Sequence, residues 1–573
     1  DKYHVKAIKP LPRRKLYEKV PLLDCFTAPC KGGCPIHQDI PEYIELCRKG
    51  AYASALRLIT EKNPLPFITG TICAHNCMTK CMRNYYDEPV NIRATKLVAA
   101  EKGYDAYMSK ITPPAPVTDG RKVAVIGGGP TGMSAAYFVG RAGIPVTLFE
   151  KVDRLGGIVR QVIPAFRISD EAIDKDVALM EKMGVEVKLN TEAPSVAELK
   201  AQGYTHIFFA VGAWKAGRLD IPGNVVPVIG WLRDMKAGKD VSLGHVAVVG
   251  GGNTAMDAAR AALRAGAKSS TLVYRRTKKY MPADAEELEM AIADGVEFLE
   301  LVAPVEQKDG KLVCNQLICE KMKLGDPDDK GRRQPVPTGE MVEIPCDTVV
   351  SAVGEKVESE VFTRNGITVD EKGIPAFKTN LEGVYAGGDA MRGPATVVEG
   401  IADAQYFANA VIGEAHKFAI PAKAVATREE AVAKKGVLCE SAKCEGDRCL
   451  TCNVVCQVCA DVCPNRANVV IELPDGRQQI LHVDRMCNEC GNCAVFCPYD
   501  SAPYREKFTL FLTREGFDES VNNQGFLPLG GKKVLVRLDS KVFEADLDAK
   551  NDLPADIEVF IWTVLTKYAY LMG

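Results

Sequence analysis

What this 573-residue chain lacks narrows its function before any motif is read. No apolar run reaches the roughly 18 residues needed to span a bilayer, and the start has no charged, then apolar, then small-residue leader. The expectation is a cytoplasmic protein without membrane insertion. Charge of one sign is missing too: 72 Lys+Arg stand against 74 Asp+Glu, a formal charge of -2. No basic run is long enough to follow a phosphate backbone, which argues against nucleic acid as a partner. Neither a Ser/His/Asp constellation nor a carboxylate pair at reactive spacing is present, so no catalytic side chain is expected and cofactors must bring the chemistry. The middle of the chain is poor in cysteine. Of 21 cysteines, seven lie between Cys25 and Cys81 and eleven between Cys439 and Cys497, with only Cys314, Cys319 and Cys346 in between. In a reducing compartment such clustering points to metal rather than disulfides.

The length predicts three to five domains at roughly 100 to 200 residues each. The first residue is Asp1 and the opening reads like the interior of a protein, so the expectation is part of something longer. Residues 1–112 read as a small helical domain carrying the first cysteines. A Pro-rich stretch from Ile111 to Gly120 reads as a linker. From Lys122 onward, short apolar runs alternate with amphipathic ones, the mark of βα units on parallel sheets. The expected layout is a multidomain α/β protein: one dinucleotide domain at 121–235 and 346–415, a second inserted at 236–345, a cysteine-rich domain at 437–505 and a β-rich tail at 506–573.

The apolar strand from Val123 runs into Gly127, Gly129, Pro130 and Gly132, a GxGxxG turn opening an Ala-rich helix, and Glu150 closes the next strand. Glycines let the backbone turn tightly beside a pyrophosphate, the helix N-terminus favours its charge, and the acid accepts from ribose hydroxyls. A second fingerprint follows at Gly250, Gly252, Asn253, Thr254 and Ala255, with alanine at the third glycine position. The strand after it ends in Arg275 and Arg276 where an acid would read the ribose, a change that favours the 2'-phosphate of NADPH. As a plain strand end, the same pair would only be solvated.

Between and beyond the fingerprints come Gly212, Gly354 and the run Gly387-Gly388-Asp389. A first dinucleotide fold interrupted by a second, then resumed and closed by Gly-Gly-Asp, resembles the two-dinucleotide-binding-domain flavoproteins. The resemblance implies FAD on the first fold and the nicotinamide nucleotide on the inserted one. Carried over, Asp389 would bond the ribityl or pyrophosphate region, the helix after Thr396 would dip toward the flavin, and Gly157, Arg167, Gly212 and Gly354 would join the cofactor-binding set. Read without the family, Asp389 is a turn acid. Cys314 and Cys319 lack the C-x-x-C spacing of thioredoxin-reductase-type members and, like Cys346, read as ordinary thiols.

Cys487, Cys490, Cys493 and Cys497-Pro form the bacterial ferredoxin run, which gives three thiolates to one 4Fe-4S cluster and sends the fourth to a neighbour. Upstream, Cys449, Cys452, Cys456, Cys459 and Cys463-Pro form a related, irregular run. Cys463 should complete the cluster of the later run and Cys497 that of the earlier one, leaving open which three of Cys449, Cys452, Cys456 and Cys459 bind. The amino-terminal set, Cys25, Cys30, Cys34, Cys73, Cys77 and Cys81, resembles the helical iron–sulfur domain of the glutamate synthase small subunit and of dihydropyrimidine dehydrogenase, which hold two 4Fe-4S clusters there. In this chain the family's leading cysteine falls at Leu22, and its Gln or Glu position at Lys96. Six cysteines cannot supply eight ligands, so either one site is degenerate or a carboxylate such as Asp24 or Glu101 fills in, with Cys47 packing on its helix.

The combination resembles the bacterial oxidoreductase subunits named for selenate reduction. It implies an enzyme that passes electrons between NADPH, FAD and 4Fe-4S clusters, two at the carboxy-terminal end and one or two at the amino-terminal end. The expected partner is a redox protein or an upstream catalytic domain, such as a molybdenum enzyme or a ferredoxin, within a larger complex. The other reading is the electron-supplying half of a self-contained enzyme of the glutamate-synthase or dihydropyrimidine-dehydrogenase kind, whose catalytic domain lies outside this chain.

Overall fold

The computed structural model describes residues 22–23, 27–85, 87–241, 243–308, 315–328, 332–413, 425–435, 437, 445–454 and 456–573. Cys25, Cys314, Cys439, Cys444 and Asp24 lie outside them. The chain divides into two compact units, one drawn from residues 60–74 and 100–417, the other from residues 1–59, 75–99 and 418–573.

The first unit is built on two five-stranded sheets. One has the order Val384–Ala386, His206–Phe209, Val123–Ile126, Val146–Phe149, Glu186–Lys188, every pair parallel. Its central strands are continuous apolar runs because helices cover both faces and no face meets water. The helices Pro130–Arg141 and Val397–Ile412 pack together, and the second is pinned by a stacked pair, Phe208 and Phe407, with ring centroids 4.4 Å apart.

The second parallel sheet runs Val225–Pro227, Thr348–Ser351, His245–Val249, Ser269–Tyr274, Glu297–Glu300. Its first two strands in that order, the edge strand Val225–Pro227 and its neighbour Thr348–Ser351, lie beyond the expected limits of 236–345, so the sheet of the inserted fold is wider than the sequence pattern marks. Val225–Pro227 covers three residues and carries no period to read. An antiparallel meander, Val302–Lys308, Gln316–Pro327 and Arg333–Pro345, stands beside this sheet. Where the chain crosses between the folds, Lys215–Ala216 pairs with Glu355–Lys356.

In the other unit, the strands Asn468–Glu472, Gln478–Val483, Thr509–Leu510, Gly525–Gly530, Lys533–Leu538 and Lys541–Asp546 form one six-stranded sheet in chain order. The expected tail at 506–573 therefore continues the sheet of the cysteine-rich region. Phe508, Phe526 and Val536 on this sheet and Phe560 and Ile561 on the helix Ala555–Lys567 are fully buried together, and that shared core joins the two segments.

One buried carboxylate positions a cysteine-bearing helix in the first unit. The helix Pro66–Ile72 ends at Cys73, and its first amides have no intrahelical acceptor. Asp176, fully buried on the helix Asp170–Glu181, accepts from the Phe67 amide at 3.1 Å and the Ile68 amide at 2.8 Å. Asp176→Ala leaves both amides buried without that acceptor and should lower stability by about 2–3 kcal/mol, read by thermal melting. A melting temperature unchanged within error would show that the contact contributes nothing.

Candidate nucleotide sites and cysteine-lined cavities

The first fingerprint folds as a tight turn between the strand at Ile126 and the helix at Pro130. Gly127 has a φ of +106°, and a Cβ at Gly132 would lie 1.9 Å from the Gly127 carbonyl oxygen, so no larger residue fits that helix–turn contact. Glu150 closes the loop from the neighbouring strand, accepting from the Gly128 amide at 2.7 Å and the Val152 amide at 3.1 Å. A Cβ on Gly157 would meet the Gly129 Cα at 2.9 Å, which places the Gly157 turn against the fingerprint. No side chain caps the helix at Gly129, so none competes with an anion for its leading amides.

The Gly-Gly-Asp turn comes to the same place from far along the chain. A Cβ at Gly388, whose φ is +64°, would lie 2.3 Å from the Thr131 hydroxyl on the fingerprint helix. The turn is held by Asp403, which accepts from the Gly388 amide at 2.9 Å and from Arg392 at 2.8 and 2.5 Å. Sequence reasoning missed Asp403, because nothing local marks a helix acid fourteen residues past a turn. Asp389 accepts from the Ala395 amide at 3.1 Å. Burial pushes its carboxyl up to about 7 against that hydrogen bond, with Glu355, Glu399 and Asp403 reinforcing the rise. Thr396 is committed to a capping box with Glu399 through both its hydroxyl and its backbone amide.

Two expected cofactor residues are occupied elsewhere. Arg167 donates to Asp257 at 2.6 Å and to Glu287. Burial raises the Asp257 carboxyl to about 6 despite that guanidinium. Arg167 thus ties its own loop to the helices Asn253–Arg264 and Ala285–Ala293. The Gly354 carbonyl accepts from the Gly217 amide at 2.6 Å, at the crossing between folds, while Gly212 turns the chain beside Trp214.

In the inserted fold, the helix Asn253–Arg264 starts uncapped at Gly252, where a Cβ would face open space. Ala255, at the third glycine position, is fully buried, and Asn253 accepts from the Asp284 amide at 3.1 Å; Thr254 follows it in the first turn. The two arginines part company. Arg276 is buried and donates to the Arg333 carbonyl at 3.1 Å and to Gln334 at 3.3 Å, whereas Arg275 is exposed at the strand end.

Eleven of the described cysteines of the other unit line three cavities. One is lined by Cys463, Cys487, Cys490 and Cys493, with Asn468 and His482. The Ala467 amide donates to the Cys463 sulfur at 3.2 Å and the Glu489 amide to that of Cys487 at 3.3 Å. Burial holds His482 down to about 4, so its ring stays neutral there. A second cavity is lined by Cys456, Cys459 and Cys497, with Tyr499 and Lys507. The third is lined by Cys30, Cys81, Cys449 and Cys452 among Ile40, Ile44 and Leu450. Burial pushes the Cys449 thiol up to about 12, against a hydrogen bond from the Thr451 backbone, and raises Cys30 and Cys452 well above an ordinary thiol, with neighbouring thiols adding to the rise. Desolvated thiols of this kind ionise only where a positive charge, such as a bound metal, stands beside them.

Among the described residues, no three His, Cys, Asp or Glu side chains draw together around a single metal ion. A four-iron cube instead keeps its thiolates apart at its corners, as ligands arranged around a cavity. Cys34 is buried and Cys77 half-buried in the same unit, and both neighbour Tyr43 together with Cys30 and Cys47. Cys73 closes its helix in the nucleotide-binding unit. Lys96 is buried and Glu101 exposed. Cys319 and Cys346 sit fully buried in an apolar core. No described helix is long and apolar enough to cross a membrane.

A parallel sheet with a phosphate-cradling turn, closed by Gly-Gly-Asp and carrying a second such sheet as an insertion, defines a flavoprotein oxidoreductase of the dinucleotide-binding class. The pyridine nucleotide-disulphide oxidoreductase family matches residues 121–404, and domain II of dihydropyrimidine dehydrogenase, a 4Fe-4S domain, matches residues 17–106. YgfK of Escherichia coli K12 is 41% identical over 604 aligned positions, covering 100% of this chain and 58% of YgfK. The beta subunit of the NADP(+)-dependent formate dehydrogenase of Moorella thermoacetica is 36% identical, over 66% of this chain and 58% of that subunit. The glutamate synthase [NADPH] small chain of Halomonas elongata is 32% identical, over 66% of this chain and 86% of the small chain. The chain belongs to the family of NADPH-dependent iron–sulfur flavoproteins that includes the glutamate synthase small chain, and its cofactors are FAD, NADPH and 4Fe-4S clusters. It spans less than two thirds of the length of YgfK.

Two outcomes follow for the nucleotide sites. Arg275→Ala should lower the NADPH-to-NADH ratio of kcat/KM about tenfold or more, the worth of a charge-assisted contact to phosphate. Arg276→Ala should act mainly on the melting temperature; a larger loss of cofactor preference from Arg276→Ala than from Arg275→Ala would reverse the assignment. Asp389, raised from an ordinary 3.8 to about 7, contributes stability that is fully present below the ordinary value and is lost as pH rises through about 7. In flavin-free protein, the fall in stability between about pH 4 and 7 should be shallower in Asp389→Asn than in the parent. Parallel curves would show that Asp389 does not titrate there.

Proposed function

We propose that the chain is an electron-transfer module that takes electrons from NADPH and delivers them singly, through its cysteine-rich unit, to a terminal reductase or hydroxylase domain or partner. The observation that carries the reading is the coexistence of two uncapped fingerprint helices in one unit with three cysteine-lined cavities in the other. When bound, FAD supplies the exchange between the two-electron chemistry of a nicotinamide and the one-electron chemistry of 4Fe-4S clusters.

The residues have separable tasks. The leading amides of the helix Pro130–Arg141 hold a pyrophosphate, while Glu150 and Asp389 accept from the sugar and ribityl hydroxyls. The leading amides of the helix Asn253–Arg264 do the same for NADPH, and Arg275 reads its 2'-phosphate. Cys463, Cys487, Cys490 and Cys493 hold one cluster, with Cys456, Cys459 and Cys497 belonging to the next. Cys34 and Cys77 are further amino-terminal ligands, and Cys25 and Cys73 are assigned by resemblance alone.

The one-electron exit fits a reductase of an oxyanion such as selenate or a molybdenum hydroxylase. The relation to a formate dehydrogenase beta subunit supports a separate catalytic partner. One finding favours a second reading: YgfK matches this whole chain yet is longer, so the same relay could feed a catalytic domain within one polypeptide.

The test separates entry from exit. In Cys487→Ser/Cys490→Ser protein, anaerobic bleaching of the flavin by NADPH should be unchanged, while NADPH-driven reduction of a one-electron viologen falls several-fold. Viologen reduction at the parental rate would contradict delivery through the cysteine-rich unit.

A further inference from the structure

The cavity lined by Cys30, Cys81, Cys449 and Cys452 joins thiols from opposite ends of the chain. Its amino-terminal wall is the turn Pro29–Gly32, the start of the helix Ile40–Arg48, and Cys81, Met82, Arg83, Val90 and Ile92. Its other wall is the loop after Glu445–Arg448. That loop is anchored where it stands. The Asn91 amide donates to Glu445 at 2.8 Å, and Arg448 donates to the Glu88 carbonyl at 2.6 Å and to Asp87 at 3.2 Å. Arg83 donates to the Val437 carbonyl at 2.9 Å. Gly446 lies so close to the helix Ile40–Arg48 that a Cβ there would come within 2.6 Å of the Arg48 Cβ. The juxtaposition is therefore built by several independent contacts.

The amino-terminal motif is short of ligands, since its leading cysteine position is Leu22, whose side chain packs against the apolar core of the six-stranded sheet. The carboxy-terminal run has a cysteine to spare. Cys463 lies with the later run, and Cys456, Cys459 and Cys497 share one cavity. Cys452 neighbours Cys456 as well as Cys449 and Cys81, so it can complete the Cys456 set. That leaves Cys449, which the cavity places with Cys30 and Cys81.

We infer that Cys449 is a ligand of the amino-terminal 4Fe-4S cluster, supplying beside Cys30 and Cys81 the thiolate missing at Leu22. The cluster is thus held by both ends of the chain and fastens the amino-terminal helices to the ferredoxin-like segment. Each ligand thiol releases its proton as its Fe–S bond forms, with no change in the oxidation state of the sulfur. The inference rests on the iron–sulfur reading above and adds to it a ligand that neither cysteine run marks as belonging to the other.

The test uses the full chain with its clusters reconstituted. Iron, acid-labile sulfide, flavin and low-temperature EPR are measured for Cys449→Ser, Cys30→Ser and the double variant. All three should lose the iron and signal of one and the same cluster, with flavin content and bleaching by NADPH retained. Full iron in Cys449→Ser, or loss of two clusters in the double variant, overturns the inference. A second measurement needs no substitution. When wild-type protein is stripped stepwise with an iron chelator and alkylated, Cys30, Cys81 and Cys449 should become reactive in the same step. Cys449 reacting with Cys456 and Cys459, in a step apart from Cys30, overturns it as well. Wild-type protein that bleaches with NADPH but takes up no iron overturns the iron–sulfur reading itself.

Discussion

The constraint on which the rest of this structure depends is the cost of holding negative charge away from water. Both units are organised around it and answer it differently. In the nucleotide-binding unit, the charge is a pyrophosphate, and the answer is a helix end whose amides have no other acceptor. That end must lie close to the strand before it, which is why a Cβ at Gly132 would collide with the Gly127 carbonyl. In the other unit the charge is a thiolate. Cys30, Cys449 and Cys452 are buried so deeply that their thiols resist ionisation, and in the proposed reading iron is the counter-charge that makes ligation favourable.

Features whose physics is local were legible in the amino-acid sequence. A strand, a glycine turn and an Ala-rich helix must follow one another within a dozen or so residues, so both fingerprints and the Glu150 strand end could be read directly. The ferredoxin run is likewise defined by ligand spacing. Features that depend on distant partners were not legible. Arg275 and Arg276 are adjacent and chemically identical, yet Arg276 is consumed by a meander strand carrying Arg333 and Gln334. Arg167 looked available for a cofactor and is instead spent on Asp257 and Glu287. Asp176 and Asp403 are unremarkable acids in helices until the amides they accept from come into view. Cys449 and Cys452 of the carboxy-terminal run meet Cys30 and Cys81 only in three dimensions.

The domain limits show the same division. The inserted fold recruits Val225–Pro227 and Thr348–Ser351 to its sheet, strands too short or too near the boundary to announce their side. The carboxy-terminal strands share one core with the cysteine-rich region through Phe508, Phe526 and Phe560, so residues 506–573 buttress the sheet of that region. Function follows from this division of labour. In the proposed reading, the nucleotide-binding unit selects and orients the electron donor, and the other unit offers thiolate sites where electrons are carried one at a time.

The most direct test of that account is an anaerobic titration of the cluster-loaded chain with NADPH, following flavin absorbance and low-temperature EPR on the same samples. The account predicts that the chain takes up more electrons than its flavin alone can hold, with reduced-cluster signals rising as the flavin bleaches. A titration that ends at one NADPH per flavin, with every cluster still EPR-silent, would contradict it.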